Sequence, residues 1–281
     1  GFRDGAHHWR NIRDTGRAIQ ALPNQATFSP SQVEQIVGNI LLFQRENGGW
    51  PKDYDYLAVL TPEQTAAIQG TRNRTDTSFD NHNIHTQVDY LARAYASSGD
   101  IESRDACLRG FDFMLAAQLE NGGFPQRYPD PSDYAAHITF NDGVMIGILN
   151  VLKDAGGGQS HWSWLDESRR FQAQQAVGHG LERIFNCPIH SGENRTGWCQ
   201  QHDAKTFQAV PARTFELASC CPQETTEIVR FLMRSDSSDD RIVKAIEDAV
   251  HWLERTQLKG IRARKGPAPV EEFDRHRGRF D

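Results

Sequence analysis

The sequence predicts an all-α fold, an α/α toroid (an incomplete α/α barrel) of helical hairpins with long groove-forming loops, over 281 residues read as a single domain. Three observations carry that prediction. Apolar residues recur at helical spacing in one segment after another. Convincing two-residue alternation is scarce, so strands are expected only as short pieces in loops. And an eight-residue loop motif occurs twice, at 44–51 and 118–125, with the same relation to the helix before it.

Residues 1–27 read as an N-terminal extension. The spacing of Val33, Ile36, Val37, Ile40 and Leu41 then predicts a helix over 31–44. Ser29 as cap, Pro30 at the first helical position and Gln32 as the return partner mark its start. Thr61-Pro62-Glu63-Gln64 repeats that start signal. Val88, Leu91, Ala92, Tyr95 and Ala96 place a helix at 85–96, stopped at Ser98-Gly99-Asp100. Leu108, Phe111 and Leu115 do the same for 104–117, and Met145, Ile148, Leu149 and Leu152 for 142–152. Val177, Leu181, Ile184 and Phe185 mark 170–186. Ile242, Ile246, Ala249, Val250 and Leu253 mark 241–254.

The repeated loop reads Q-R-E-N-G-G-W-P at 44–51 and Q-L-E-N-G-G-F-P at 118–125. Each copy ends an apolar helix with Gly-Gly, an aromatic and Pro, a chemistry that stops helices. A weaker third copy runs through 181–198 and ends at Gly197-Trp198. A repeat of two helices and a long connection stacks into hairpins, and stacked hairpins that curve make a toroid. Its loops then gather at one end as a groove.

Composition narrows the function. Apolar residues are 38% and the formal net charge is −6, so a general binder of phosphate backbones is disfavoured and no nucleic-acid partner is expected. No apolar run is long enough for a membrane span, and no signal-peptide pattern is visible. The chain opens on Gly1, so its start does not report its compartment. The five cysteines show no zinc spacing; they read as buried thiols, with a Cys187–Cys199 bridge left open.

The inter-helical segments carry the chemistry. Trp50, Tyr54, Tyr56, Phe124, Tyr128, Tyr134 and Trp198 lie there among amides and charged groups, which suits stacking on sugars or, alternatively, covering helix ends. Thr77-Ser78-Phe79-Asp80-Asn81-His82-Asn83 and His137-Ile138-Thr139-Phe140-Asn141-Asp142-Gly143 each put an Asp beside an Asn just before a helix. Such residues serve as N-caps without further function. They also supply the carboxylate and amide oxygens that hard cations such as Ca²⁺ prefer. A third cluster, Trp198-Cys199-Gln200-Gln201-His202-Asp203, precedes Ala212-Arg213-Thr214-Phe215-Glu216-Leu217. His202 beside Asp203 suggests acid–base work or a packed loop histidine. Arg213 and Glu216 have the spacing of a helical ion pair.

Taken together, F-Q-R-E-N-G-G-W-P-K, F-D-N…T-Q, N-G-G-F-P-Q-R-Y-P, H-I-T-F-N-D, W-C-Q-Q-H-D, A-R-T-F-E-L-A-S and I-V-R-F-L-M resemble, in order, the polysaccharide lyase family 10 pectate lyases over about 28–255. The resemblance implies an α/α toroid that cleaves polygalacturonate by Ca²⁺-dependent β-elimination to 4,5-unsaturated oligogalacturonides. It implies Asp80 and Asp142 at the cation that bridges the substrate carboxylate, with Asn81 and Asn141 as further metal candidates. It implies Arg213 as the base and Arg127 as a binder of a substrate carboxylate. Trp50, Lys52, Tyr128, His137 and His202 stand in the same motifs as candidate substrate contacts. Nearby cations are expected to lower the pKa of Arg213, and the activity is expected to peak at alkaline pH.

The chain departs from the family pattern in four places. Gly143-Val144 stands where the family shows Asp-Ala, His82 where it shows a small residue, Ser219-Cys220-Cys221-Pro222-Gln223-Glu224 where it shows S-L-S-G-x-E, and residues 256–281 form a charged tail with Arg275, Arg277 and Arg279 that does not match the family's continuation. The alternatives are an α/α-toroid glycoside hydrolase using Asp80 and Asp142 as its carboxyl pair, or a truncated or inactive relative that binds pectin without cutting it. The expected partner is a pectin oligosaccharide met by a monomer outside the cytoplasm, in an extracellular or periplasmic setting.

Overall fold

The computed structural model describes residues 2–192, 194–235 and 238–260. Helices run in the order α1 (Arg3–Asn11), α2 (Val33–Phe43), α3 (Pro62–Gln69), α4 (His85–Ser98), α5 (Ile101–Ala116), α6 (Val144–Gly156), α7 (Glu167–Asn186), α8 (Pro222–Met233) and α9 (Asp240–Thr256). Strands among the described residues are two-residue pieces. β1 (Ile138–Thr139) pairs antiparallel with β4 (Gln201–His202), and β2 (His190–Ser191) pairs with β3 (Asn194–Arg195).

The helices form an α/α toroid in two layers. α4/α5, α6/α7 and α8/α9 are antiparallel hairpins. α4, α6 and α8 stand side by side as the inner row, around a hollow of about 390 Å³ that they line with Asp89, Asn150 and Arg230 among others. α2, α5 and α7 form the outer row. α6 is apolar on nearly every side, with Met145, Ile146, Ile148, Leu149, Val151 and Leu152 all buried, because it has neighbours on both sides and an outer helix behind it. The buried apolar side chains form one contiguous core, which includes Trp9 and Ile19 from the first 27 residues. That segment is therefore packed into the domain and is not a loose extension.

The helix boundaries follow local chemistry, with three corrections. α3 realises its full capping box, with Gln64 N donating to Thr61 Oγ1 at 3.2 Å and Thr61 N donating to Gln64 Oε1 at 3.0 Å. α2 begins at Val33, later than expected, because the Ser29 hydroxyl bonds Ser31 Oγ at 2.6 Å and leaves only half of its box, Ser29 N donating to Gln32 Oε1. α8 is a helix that the apolar spacing alone did not single out; its Ile228, Val229, Phe231 and Leu232 are buried. Thirdly, Arg213 and Glu216 lie on a turn, closed by Glu216 N donating to Arg213 O at 2.8 Å, and not on a helix.

The repeated loop is a structural repeat. Gln44 Nε2 donates to Gly48 O at 2.9 Å within its own loop and to Ala106 O on α5 at 2.9 Å. Gln118 Nε2 donates to Gly122 O at 3.0 Å and to Ala176 O on α7 at 2.9 Å. Gly48 and Gly122 take φ of 94° and 91° and press on the carbonyls of Arg109 and His179. The aromatic that follows fills the end of the preceding helix: Trp50 Nε1 donates to Ile40 O at 2.8 Å. In the third copy Trp198 Nε1 donates to Ile184 O at 2.9 Å. These loops end the outer helices, so the connections they start all lead to the N-terminal ends of the inner row. That end holds the candidate site.

Candidate active site

Asp80 lies on the connection between α3 and α4. Its segment is clamped from both sides: Phe79 N donates to Gln126 O at 2.9 Å, and Asn83 Nδ2 donates to Trp50 O at 2.9 Å and Ser78 O at 2.6 Å. The backbone then turns through positive φ at Asn81 (56°), His82 (57°) and Ile84 (69°). Left-handed conformations of this kind in side-chain-bearing residues cost about 1 kcal/mol or more each and persist where the surroundings dictate them. Asp142 sits in the same state, φ 50°, on the 3-10 turn before α6. A backbone hydrogen bond joins the two segments directly, with His82 N donating to Asp142 O at 3.1 Å.

Neither aspartate caps its helix: α4 and α6 have no side-chain cap, and their flanking residues are Ile84 and Gly143. The purely structural reading of the two Asp-Asn motifs therefore fails. The carboxyl groups instead face each other with unlike electrostatics. Burial pushes Asp80 up, but the Lys52 ammonium, which hydrogen-bonds Asp80 Oδ2, outweighs it and holds Asp80 below the usual carboxylate range. Burial and then the Asp80 charge push Asp142 up to about 7. The pair thus holds one proton near neutrality.

Asn141 Nδ2 donates to Asp142 Oδ2 at 2.6 Å, and Asn141 Oδ1 accepts from Gln200 Nε2 at 2.8 Å. It orients Asp142, and its amide oxygen already accepts one hydrogen bond. Asn81 Nδ2 donates to Asp53 Oδ1 at 2.7 Å, which turns this amide toward Asp53.

Arg213 forks onto Glu216, with Nε to Oε2 at 2.8 Å and Nη2 to Oε1 at 2.5 Å, and its guanidinium lies 4.8 Å over the Phe215 ring. The Glu216 hydrogen bonds raise its pKa, the reverse of the lowering expected from neighbouring cations. Arg213 remains within electrostatic reach of Asp80 and Tyr134. Arg127 is exposed, on the strip that pairs with Ser78. His137 is half-buried, next to β1.

Two expected substrate contacts are core residues. Trp50 is 0% exposed, its ring closing the end of α2. His202 is 0% exposed; its Nε2 accepts from Cys199 N at 3.1 Å and its Nδ1 donates to Phe207 O at 3.0 Å. With both nitrogens used and burial pushing its pKa down to about 4, His202 is a neutral structural pin. Tyr54, Tyr56, Phe124 and Trp198 are buried as well, so these aromatics cover helix ends and line no groove. Tyr128 packs edge-on to Phe113 at 5.3 Å. The cysteines are free, Cys187 and Cys199 included.

Gln126, Gln200 and Tyr134 stood inside the quoted motifs and loops without a role assigned to them, and Asp4 and Asp53, which border the pair, stood in none. They are ordinary polar residues whose importance comes from the partner the fold supplies.

Among the described residues no group of three or more His, Cys, Asp or Glu converges as a metal cage. Yet Asp80 is buried, and the group it meets across the site is the carboxyl of Asp142, which is forced to keep a proton against it. Two facing carboxyl groups that give up a shared proton fit a hard divalent cation that completes its shell from elsewhere.

A helical toroid with a loop-borne acid pair and a lysine–arginine flank at one end defines an enzyme suited to acidic polysaccharide. The chain belongs to the pectic acid lyase family, whose model matches residues 44–275, and it is a polysaccharide lyase. Among solved structures it is similar to a family 10 polysaccharide lyase from Cellvibrio cellulosa, at 28% identity and a TM-score of 0.70. It is also similar, at 27% identity and the same TM-score, to an aspartate-to-alanine mutant of that lyase in complex with trigalacturonic acid. Each match covers 79% of this chain and 67% of the relative. The comparison with curated proteins found no match.

Proposed function

We propose that the protein is a Ca²⁺-dependent pectate lyase that cuts polygalacturonate by β-elimination and leaves 4,5-unsaturated oligogalacturonides. The observation that carries this reading is the facing pair Asp80 and Asp142, buried together and sharing one proton, in a chain of the pectic acid lyase family. Asp80 and Asp142 would hold the cation, which supplies charge stabilisation for the substrate carboxylate.

The remaining steps belong to the side chains. Elimination breaks the C5–H bond of a uronate. Its electron pair forms the C4=C5 double bond, and the C4–O bond breaks with the glycosidic oxygen leaving. In this reading Arg213, deprotonated and released from Glu216, takes the C5 proton, the departing O4 picks up a proton from water, and Arg127 pairs with a neighbouring uronate carboxylate. Lys52, now on Asp80 Oδ2, is a further cation beside the site for a substrate carboxylate. Because Glu216 holds Arg213 protonated, activity rises toward alkaline pH. The polymer substrate goes with an extracellular or periplasmic, monomeric enzyme.

The split between an ionised Asp80 and a protonated Asp142 also resembles the acid and carboxylate of a glycoside hydrolase. One assay decides. Polygalacturonate is mixed with the protein at alkaline pH, with Ca²⁺ and then with a chelator, and the ultraviolet band of unsaturated uronides is followed. A Ca²⁺-dependent rise is expected. New reducing ends without that band would mean hydrolysis, and binding without either would mean an inactive relative.

A further inference from the structure

The two turns that carry the acids are built alike and meet through one residue. On the Asp80 side, Asn81 and His82 are both left-handed, at φ 56° and 57°. On the Asp142 side, Asp142 and Gly143 are both left-handed, at φ 50° and 68°. Asparagine, aspartate, histidine and glycine are the residue types that accept this conformation most readily. The backbone of His82 joins the turns, its N–H donating to Asp142 O at 3.1 Å.

The His82 side chain joins them a second time. A Cβ at Gly143 would stand 2.4 Å from Nδ1 and 2.5 Å from Cε1 of the imidazole, well inside contact distance. The ring therefore rests directly on the Gly143 backbone. His85 repeats the arrangement further along the same two helices, where a Cβ at Gly147 would stand 2.3 Å from its Cε1. The two rings meet edge to face, with centroids 5.8 Å apart. So α4 and α6 approach each other through two histidine rings seated on two glycines, and the first seat is the residue next to Asp142.

His82 is held on its other sides as well. Its carbonyl accepts from Thr86 Oγ1 at 2.8 Å, and its Nε2 lies 3.4 Å from the Asp4 carboxylate on α1. His85, 7% exposed, stands behind it. Left-handed residues persist only where their surroundings dictate them. Without the ring, Gly143 regains the widest choice of backbone angles of any residue, and Asp142 is one peptide bond away.

We propose that His82 is a positioning residue: its ring, seated on Gly143, holds the Asp142 turn against the Asp80 turn in the form in which the two carboxyl groups face each other. This rests on the lyase reading above.

The test is a double-mutant cycle in the full chain. His82→Gly removes the ring and keeps the left-handed backbone available. Gly143→Asn adds a side chain that tolerates that backbone but runs into the ring. Each single variant is expected to lower kcat on polygalacturonate about tenfold or more, with KM within about twofold of wild type. In the double variant the new side chain fills the space the ring has left, and kcat returns to within about threefold of wild type. His82→Asn keeps a planar group where the imidazole Nδ1 stands and lacks Nε2 with its Asp4 contact; it too stays within about threefold. Urea unfolding checks the contact itself. Gly143→Asn should lower the folding constant about tenfold more in the wild-type background than beside His82→Gly.

That coupling in stability with an unchanged kcat in His82→Gly would reduce the ring to packing and overturn the proposal. Losses of kcat that multiply in the double variant would overturn it too. So would a His82→Asn as poor as His82→Gly, which would assign the role to the Asp4 contact. Calorimetric titration with Ca²⁺ alone gives a readout independent of turnover, in which His82→Gly binds about tenfold more weakly than wild type and the double variant recovers. A wild type that binds Ca²⁺ but releases no unsaturated product overturns the lyase reading alone, and the Ca²⁺ affinities then decide the role of His82. A wild type that neither binds Ca²⁺ nor cuts overturns both.

Discussion

At the scale of single residues, the site works through unequal treatment of like groups. Asp80 and Asp142 have the same chemistry, and the position of Lys52, helped by Gln126 at Asp80 and by the Glu224 and Asp4 charges at Asp142, decides which one keeps the proton. Asp142→Asn and Asp80→Asn are each expected to lower kcat on polygalacturonate by about 100-fold or more, with helical circular dichroism retained. Near-wild-type kcat in both would place the chemistry elsewhere. Arg213 is restrained in the same way. Replacing its partner, Glu216→Gln, removes the bonds that raise the Arg213 pKa. The alkaline rise of kcat is therefore expected at lower pH in that variant, and an unmoved rise would show that Arg213 is not the group being titrated. The acid pair was legible in the sequence because two Asp-Asn motifs preceded two helices. Trp50 and His202 were misread for an equally physical reason. An indole and an imidazole in a polar loop carry the same signature whether they face a sugar or spend their N–H groups on the carbonyls of Ile40 and Phe207.

Among the elements, the outer-helix loops are the fixed points. Gly48 and Gly122 combine positive φ with a carbonyl oxygen 2.5 and 2.3 Å from where a Cβ would stand. Gly99 ends α4 with φ 73° and nothing within 4 Å. Gly99→Ala is therefore expected to cost about 1 kcal/mol of strain alone. Gly48→Ala and Gly122→Ala should each cost about 3 kcal/mol or more, because strain and overlap add. Urea unfolding of the three variants checks the ordering, and equal losses would contradict it. The repeat was readable because its helix-stopping chemistry is local. The late start of α2 was not, since it depends on the Ser29 hydroxyl choosing Ser31 over the helix end.

For the whole molecule, buried histidines set the response to acid. Burial lowers His85 from 6.5 to about 3 and His202 to about 4, while Asp142 is raised to about 7. Below about pH 6.5 the unfolded chain takes up protons at His85, His202 and His82 that the native state holds off, while the native state keeps one on Asp142 that the unfolded chain has released. The histidines outnumber the aspartate, so the unfolded state binds more protons and stability falls on acidification. In Asp142→Asn the offset disappears and the fall should steepen. Urea melts of both proteins between pH 4.5 and 6.5 measure it, and identical slopes would refute the assignment. None of this was visible in the sequence, where eleven histidines look alike. The fold as a stack of hairpins was visible, because periodicity and repetition survive without coordinates. The tail that includes Arg275, Arg277 and Arg279 lies outside the described residues.

Gln44 and Gln118 each tie their own turn to the next outer helix with a single amide group. Such a joint acts as an angle bracket. It sets by how much each hairpin is rotated from the one before, and that rotation is carried to the inner helices whose leading ends bear Asp80 and Asp142. A lineage of such chains can retune its chemistry by editing a hinge some distance away, without touching either aspartate.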